Sequence, residues 1–382
     1  MKKILLIHNR YKHQGGEDVA VKNEVALLEQ NFKVEVIYFD NNLKNLLNLL
    51  LSFIFNLNRN SQKILRKKIK EFNPDYAYVH NTWFKASLGI FSTLDKEKVP
   101  IILKIHNFRY FCTRSFLSKN HFIDKNICQA CGADQKNFKN FNKYFQNSIL
   151  KSLFVIRYGK KYFKILKNEK IKILVLTKFH QEFLKNLTNR QTVNVFQNYL
   201  KTDLANRTNQ SAEKFIVYAG RISSEKGVKE LIKTFRDIND KNLKLKIIGD
   251  GPQLKELKKS YKFDNIEFLG ELENTEVLSL ISSSIGVVSA TKLYEGQPTL
   301  LCEASKLGIP SIFPRTGGIG EFFPDNYELS FEQFNYEDLK NKIKLLSDEK
   351  LRLNIGENNK SFIDTYLDRN SLTNKFKKIL NE

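Results

Sequence analysis

Residues 215–227 read FIVYAGRISSEKG, and their order decides the fold. The short β-rich run Phe215–Ala219 reads as a strand, Gly220 and Arg221 close it, and Glu225-Lys226-Gly227 opens the next helical pattern. A strand passing through glycine into a helix is the repeating unit of a parallel α/β sheet. Working outward, the same alternation continues through Lys244–Ile248, Ile266–Phe268, Ile285–Ser289 and Ser311–Phe313. Toward the N-terminus it recurs in Ile4–Ile7, Val34–Tyr38, Tyr76–His80, Ile101–His106 and Lys172–Leu176. These are two sets of about five strands, joined by the polar stretch Lys201–Glu213. The expected fold is α/β, with two Rossmann-like doubly wound domains facing a cleft, and 382 residues exceed what one core usually holds. The expected boundaries are 1–199 and 200–360. The stretch from Leu339 to Leu380 reads as helices, the last of them, about 361–382, packing back on the first domain.

Composition narrows the class. A hydrophobic fraction of 41% excludes widespread disorder. Four cysteines and no signal peptide argue for a reducing compartment, because His8, Asn9 and Arg10 cut the first apolar run after Ile7. The longest apolar stretch, Leu46–Leu57, is interrupted by Asn48, Ser52 and Asn56 and falls short of the roughly 20 residues a spanning helix needs. A cytoplasmic chain that does not cross a bilayer is expected. The net charge of +22 is distributed unevenly: of 63 basic and 41 acidic residues, 36 and 15 fall in 1–205, leaving 27 and 26 for the remainder.

Open α/β sheets bind ligands beyond the carboxyl ends of their strands. There the first half carries Gly15-Gly16-Glu17-Asp18, His80-Asn81 and His106-Asn107. In the second half Arg221 and Lys226 stand at a strand end and a helix start, where cations and backbone dipoles together favour a diphosphate. Gly249-Asp250-Gly251-Pro252 is ordinary turn chemistry. Residues 295–303, EGQPTLLCE, place Glu295 and Glu303 a little over two helical turns apart, able to face one ligand and accept hydrogen bonds from paired sugar hydroxyls. Gly317-Gly318-Ile319-Gly320-Glu321 is a further glycine-rich turn after a strand.

In that order these motifs resemble the retaining glycosyltransferase family 4, or glycosyl transferases group 1, with its two-domain GT-B fold. The likeness is strongest over about 215–325. A subgroup of the family is also similar to the first half, through Gly15–Asp18, Pro74-Asp75, His106-Asn107 with Arg109, and Cys112 followed by Cys128 and Cys131. The resemblance implies a nucleoside-diphosphate sugar bound by the second domain and an acceptor bound by the first. Arg221 and Lys226 would hold the diphosphate, with backbone N–H groups from Gln297 through Pro298 and Thr299 to Leu300 beside it and Gly15 and Gly16 at the same diphosphate. Glu303 would hold the ribose hydroxyls and Glu295 those of the donor sugar. His106 matches the histidine near the reacting carbon, and His80, Asn107 and Arg109 are candidates on the acceptor side. No cofactor is implied. No Asp-x-Asp occurs, so a metal-bridged diphosphate is not indicated.

Cys112, His121, Cys128 and Cys131 suit a structural zinc site and equally suit free thiols packing a loop, so no metal is assigned. Basic residues concentrate in Lys63–Lys70 and in Lys136–Lys172, the latter interleaved with aromatics. The chain lacks a recognisable nucleic-acid module, so nucleic acid is not an expected partner. An anionic membrane surface is, which suits a lipid-linked glycan acceptor in lipopolysaccharide or capsule biosynthesis. Two rival readings stand beside this: a soluble glycosyltransferase acting on a small molecule or storage glycan, and a non-catalytic glycan- or nucleic-acid-binding protein on the same fold.

Overall fold

The computed structural model describes residues 1–10, 16–40, 54–110, 112, 127–133, 148–201 and 213–381. Gly15, His121, residues 202–212 of the connecting stretch and the apolar residues 46–53 lie outside them. The chain divides into two compact units. The first holds the described residues up to Cys112, those of 148–199 and those from Arg369 on; the second holds 127–133, 200–201 and 213–368.

In the first unit six parallel strands run β1 (Lys3–Arg10), β2 (Lys33–Asp40), β3 (Tyr76–Val79), β4 (Ile101–Ile105), β5 (Lys172–Val175) and β6 (Asn194–Val195), in spatial order β2-β1-β3-β4-β5-β6. The register pairs Ile7 with Val79 and Val79 with Leu103, so the carboxyl ends of β1, β3 and β4 lie side by side. One face packs Leu5, Ile7, Val79, Leu103 and Val175 into a core with Leu65 and Ile69 of α2 (Arg59–Phe72) and Phe163 and Leu166 of α4 (Ile149–Leu166). Between these, α3 (Gly89–Lys96) adds Ile90 and Leu94. Side-chain caps fix where the helices begin. Asn58 accepts from the N–H groups of Asn60 and Ser61, Ser148 from Lys151, and Thr177 from His180 at the start of α5 (Lys178–Thr188).

The opposite face is covered by α1 (Gly16–Leu28) and by the last helix of the chain, Arg369–Asn381. Phe376 of that helix lies against Phe32, Tyr78 and Phe196, with ring centroids 5.2–5.7 Å apart. Tyr76 donates to the carbonyl of Leu380 at 2.9 Å and Arg369 to that of Ala26 at 3.2 Å. The helix before it, Glu349–Tyr366, belongs to the second unit, so the chain returns at Arg369.

The second sheet is also all parallel, with spatial order β12-β11-β10-β7-β8-β9. Its strands are β7 (Lys214–Ala219), β8 (Leu243–Ile248), β9 (Ile266–Gly270), β10 (Gly286–Val288), β11 (Ser311–Arg315) and β12 (Ser330–Glu332). Helix Val228–Arg236, labelled α6, follows β7 and buries Val228, Leu231, Ile232 and Phe235 against Ile216, Tyr218, Leu245 and Ile247. The strand order reverses between β7 and β10, which makes their carboxyl ends the switch point of this sheet. The edge strands β6 and β12 have no counterpart among the apolar runs of the sequence, being two and three residues long.

Segment 127–133, from the N-terminal half of the sequence, belongs to the second unit. The carbonyl of Gln129 accepts from the backbone N–H of Tyr294 at 2.7 Å, and Gly132 sits so close to Glu225 that an added Cβ would come within 2.7 Å of that side chain. No described helix is long and apolar enough to cross a membrane.

Candidate active site

In the second unit the site is assembled at the switch point by close backbone approaches. Gly227 opens α6 at φ +69°, and a Cβ there would lie 2.0 Å from the carbonyl oxygen of Ala290, just past β10. This contact seats the short 3₁₀ turn Ser224–Lys226 beside the loop that carries Glu295. Lys226 Nζ then reaches Glu295 Oε1 at 2.5 Å, and Thr291 donates to the same oxygen at 3.1 Å. Both charged side chains are about 30% exposed, at 30% and 28%, so the pair is open to a ligand from solvent. The glycine turn after β11 closes on the other side: Gly317, at φ +58°, abuts the backbone of Glu295, and Gly318 donates to the Glu295 carbonyl at 2.8 Å. Arg221, next to Gly220 at the end of β7, is exposed.

Residues 299–306 form the helix entered from this loop, labelled α9 (Thr299–Lys306), with Pro298 as its N-cap and no side chain capping it. The first intrahelical bond is that from Cys302 N to Pro298 O at 3.0 Å. The N–H groups of Thr299, Leu300 and Leu301 therefore have no acceptor within the helix, and they carry the positive end of its dipole. Pro298 itself has no N–H, so that part of the expected row of donors is missing. Gln297 is buried.

Glu303, one turn further along α9, is only 9% exposed. No described side chain pairs with its carboxyl, and burial alone pushes it up to about 7. An uncompensated buried carboxylate costs stability, and such groups concentrate where a ligand supplies the missing partners.

The first unit places its candidates together at the ends of β3 and β4. His80 and His106 stand one residue past their strands, with His80 Nδ1 3.0 Å from His106 Nε2 and the rings stacked at 5.3 Å. Both imidazoles are held well below the usual histidine range, first by burial, then by neighbouring positive charge including that of Lys104. They are neutral at pH 7. A pocket of about 180 Å³ opens onto them, lined also by Glu17, Trp83, Asn107, Arg109, Tyr158 and Tyr162. Of the first-half candidates, His80, His106, Asn107 and Arg109 thus line one cavity, while Gly16 is exposed at the start of α1. Trp83 meets the Tyr158 ring edge-on at 4.6 Å, and Tyr158 shares a 2.8 Å hydrogen bond with Thr82. The aromatic walls suit the apolar face of a sugar ring, and the polar tips suit its hydroxyls.

Sequence reasoning missed three residues here. His8 lies in β1, two residues before its end at Arg10, and its Nε2 lies 2.8 Å from Asp18. Glu24 and Lys104 are fully buried behind the histidines and paired at 2.8 Å. The period-two alternation of Lys104 with His106, and of Tyr78 with His80, was the available signal.

Two parallel six-stranded sheets flanked by helices have the GT-B architecture of glycosyltransferases. The structure of HepE of Anabaena in complex with UDP-glucose matches with a TM-score of 0.70 at 16% identity, over 100% of both chains. The model of the family "Glycosyl transferases group 1" matches residues 201–362. The uncharacterized glycosyltransferase MJ1178 of Methanocaldococcus jannaschii is 30% identical over 275 residues, 70% of this chain and 72% of the relative. The amylovoran biosynthesis glycosyltransferase AmsD of Erwinia amylovora is 26% identical over 194 residues, 49% of this chain and 55% of the relative. The chain belongs to the group 1 glycosyltransferases.

Proposed function

We propose that this enzyme is a retaining, metal-independent glycosyltransferase of family 4 that moves a sugar from a nucleoside-diphosphate sugar to a lipid-linked glycan during bacterial surface-polysaccharide synthesis. The observation that carries the donor reading is Glu303: a buried carboxylate with no described partner, on the helix whose free N–H groups begin at Thr299. Ribose hydroxyls supply the hydrogen bonds it lacks. The diphosphate takes Arg221, Lys226 and the N–H groups of Thr299 and Leu300. As the bond to the sugar breaks, charge grows on the phosphate oxygens, and these donors stabilise it without rearranging. Glu295 exchanges part of its contact with Lys226 for the sugar hydroxyls. His106 takes a substrate hydroxyl in the pocket of the first unit, where Asn107 and Arg109 hold the acceptor. Retention follows from attack on the face that the diphosphate leaves. The absence of any Asp-x-Asp motif supports a site that uses side-chain cations in place of a metal. HepE bound to UDP-glucose and AmsD in amylovoran biosynthesis support the donor class and the polysaccharide setting.

Membrane association has its own support within the first unit. Helix α2 carries Lys63, Arg66, Lys67, Lys68 and Lys70, and Phe55, Leu57 and Ile64 are 51%, 49% and 43% exposed beside them. Lys161 of α4 donates to the carbonyl of Phe55 at 2.9 Å, which joins these residues to a helix exposing Leu150, Leu153, Arg157 and Lys164. Apolar side chains set among lysines suit the headgroup region of an anionic bilayer.

Calorimetry with UDP-, GDP- and ADP-sugars tests the central proposal. One nucleotide class binds the wild type, and Glu303→Ala weakens it. A chain that binds none of them refutes it.

A further inference from the structure

A buried glutamate stands behind the histidine pair and decides where its protons sit. Alternation along β4 puts Lys104 on the face opposite Leu103 and Ile105, and α1 lowers Glu24 onto that face. Glu24 Oε1 is fully used, accepting from Tyr78 Oη at 2.7 Å and from Lys104 Nζ at 2.8 Å. The other oxygen, Oε2, has no hydrogen-bond partner, and neither has Nε2 of His80; both atoms are buried. They face one another at 3.9 Å with both side chains at 0% exposure.

That distance is too long for a hydrogen bond and short enough for strong electrostatics in a dry interior. A bare ring nitrogen would set its lone pair against the carboxylate, whereas an N–H sets its positive end there. The proton of neutral His80 therefore sits on Nε2. Its Nδ1 is left as an acceptor, and among the described residues the hydrogen-bond partner it meets is Nε2 of His106, at 3.0 Å. His106 must then carry its own proton on Nε2. The remaining nitrogen, Nδ1, is a bare acceptor on a half-buried ring that lines the pocket.

We propose that Glu24 and His80 are positioning residues that hold His106 as its Nε2–H tautomer, so that the ligand group meeting His106 Nδ1 is a hydrogen-bond donor such as a sugar hydroxyl and never a phosphate oxygen. The chain Glu24, His80, His106 works like a carboxylate orienting a catalytic imidazole, with a second imidazole inserted between them. The assignment deepens the proposed function by naming the chemistry the pocket accepts at His106.

Two-bond proton–nitrogen correlation spectra of the full chain labelled with ¹⁵N-histidine read the tautomers directly at neutral pH, with His80→Gln and His106→Gln serving for assignment. Nε2–H is expected on both rings. Nδ1–H on His106, or a fast average of the two forms, overturns the proposal. His80→Leu removes the acceptor: His106 is then expected to lose its single tautomer, and turnover to fall roughly tenfold, the equivalent of one lost hydrogen bond. In His80→Gln the carboxamide accepts from His106 and donates toward Glu24, so the Nε2–H signal is expected to persist. An unchanged spectrum in His80→Leu counts against the proposal, and should that variant fail to fold, the wild type and His80→Gln decide. The tautomer is read without turnover, so its failure and the failure of the transferase reading are distinguishable.

Discussion

Replacing Glu303 by glutamine separates ligand binding from folding at one atom pair. The carboxyl ordinarily titrates near 4.5, and burial pushes it up to about 7. Because the folded state favours the protonated form, the stability this group contributes is fully present below 4.5 and is lost as pH rises through 7. At about 1.4 kcal/mol per tenfold, ionised Glu303 costs the unliganded fold about 3 kcal/mol at pH 8. Glutamine keeps the shape and cannot ionise. Urea unfolding should therefore find Glu303→Gln more stable than wild type by up to about 3 kcal/mol at pH 8, the gain shrinking below about 1 kcal/mol at pH 5. Nucleotide binding moves the other way, weakened roughly tenfold because the amide accepts in place of only one carboxylate oxygen. A difference between the two proteins that does not change with pH would refute the reasoning, since only the charge of Glu303 titrates out.

Three further outcomes follow from the same geometry. Glu295→Ala leaves Lys226 without its 2.5 Å partner and should lower kcat/KM for sugar transfer by about a hundredfold or more, while the nucleoside diphosphate alone still binds; wild-type transfer in this variant removes Glu295 from the site. Gly317→Ala places a methyl 2.6 Å from the Glu295 nitrogen at a residue with φ +58°, so a loss of at least about 1 kcal/mol in stability and a matching loss of transfer are expected from thermal unfolding and activity assays. Reversing the charge of Lys63, Arg66, Lys67 and Lys70 together should abolish sedimentation with anionic vesicles at low salt while leaving calorimetric donor affinity unchanged; equal binding of the wild type to neutral vesicles would rule out the charge-driven docking.

The alternation of strand and helix patterns was legible because parallel strands are buried on both sides and read as continuous apolar runs, as in β1 and β7. The edge strands β6 and β12 were not, since two or three residues held by one neighbour need no apolar signature. The residues beyond the strand ends were also legible: Arg221, Lys226 and Glu295, with Thr299 and Glu303 on the helix that follows, lie along 83 residues of sequence in motifs whose order alone suggested a donor site. Local geometry could not say that Gly227 and Gly317 are there to let two backbones touch, because their partners, Ala290 and Glu295, are far away in the chain.

By itself the sequence determined the repeated α/β unit, the order of the glycine, cation and carboxylate motifs and the concentration of positive charge in residues 1–205. Those are properties of short segments and of their sum. Only the tertiary structure decided that segment 127–133 packs beside Tyr294, that the chain returns to the first unit at Arg369, and that Glu24, His80 and His106 form one line. Each depends on which faces meet when strands distant in sequence become neighbours. A buried carboxylate such as Glu24 reads as one more polar residue of a helix until Lys104, 80 positions away, is brought to within 2.8 Å of it.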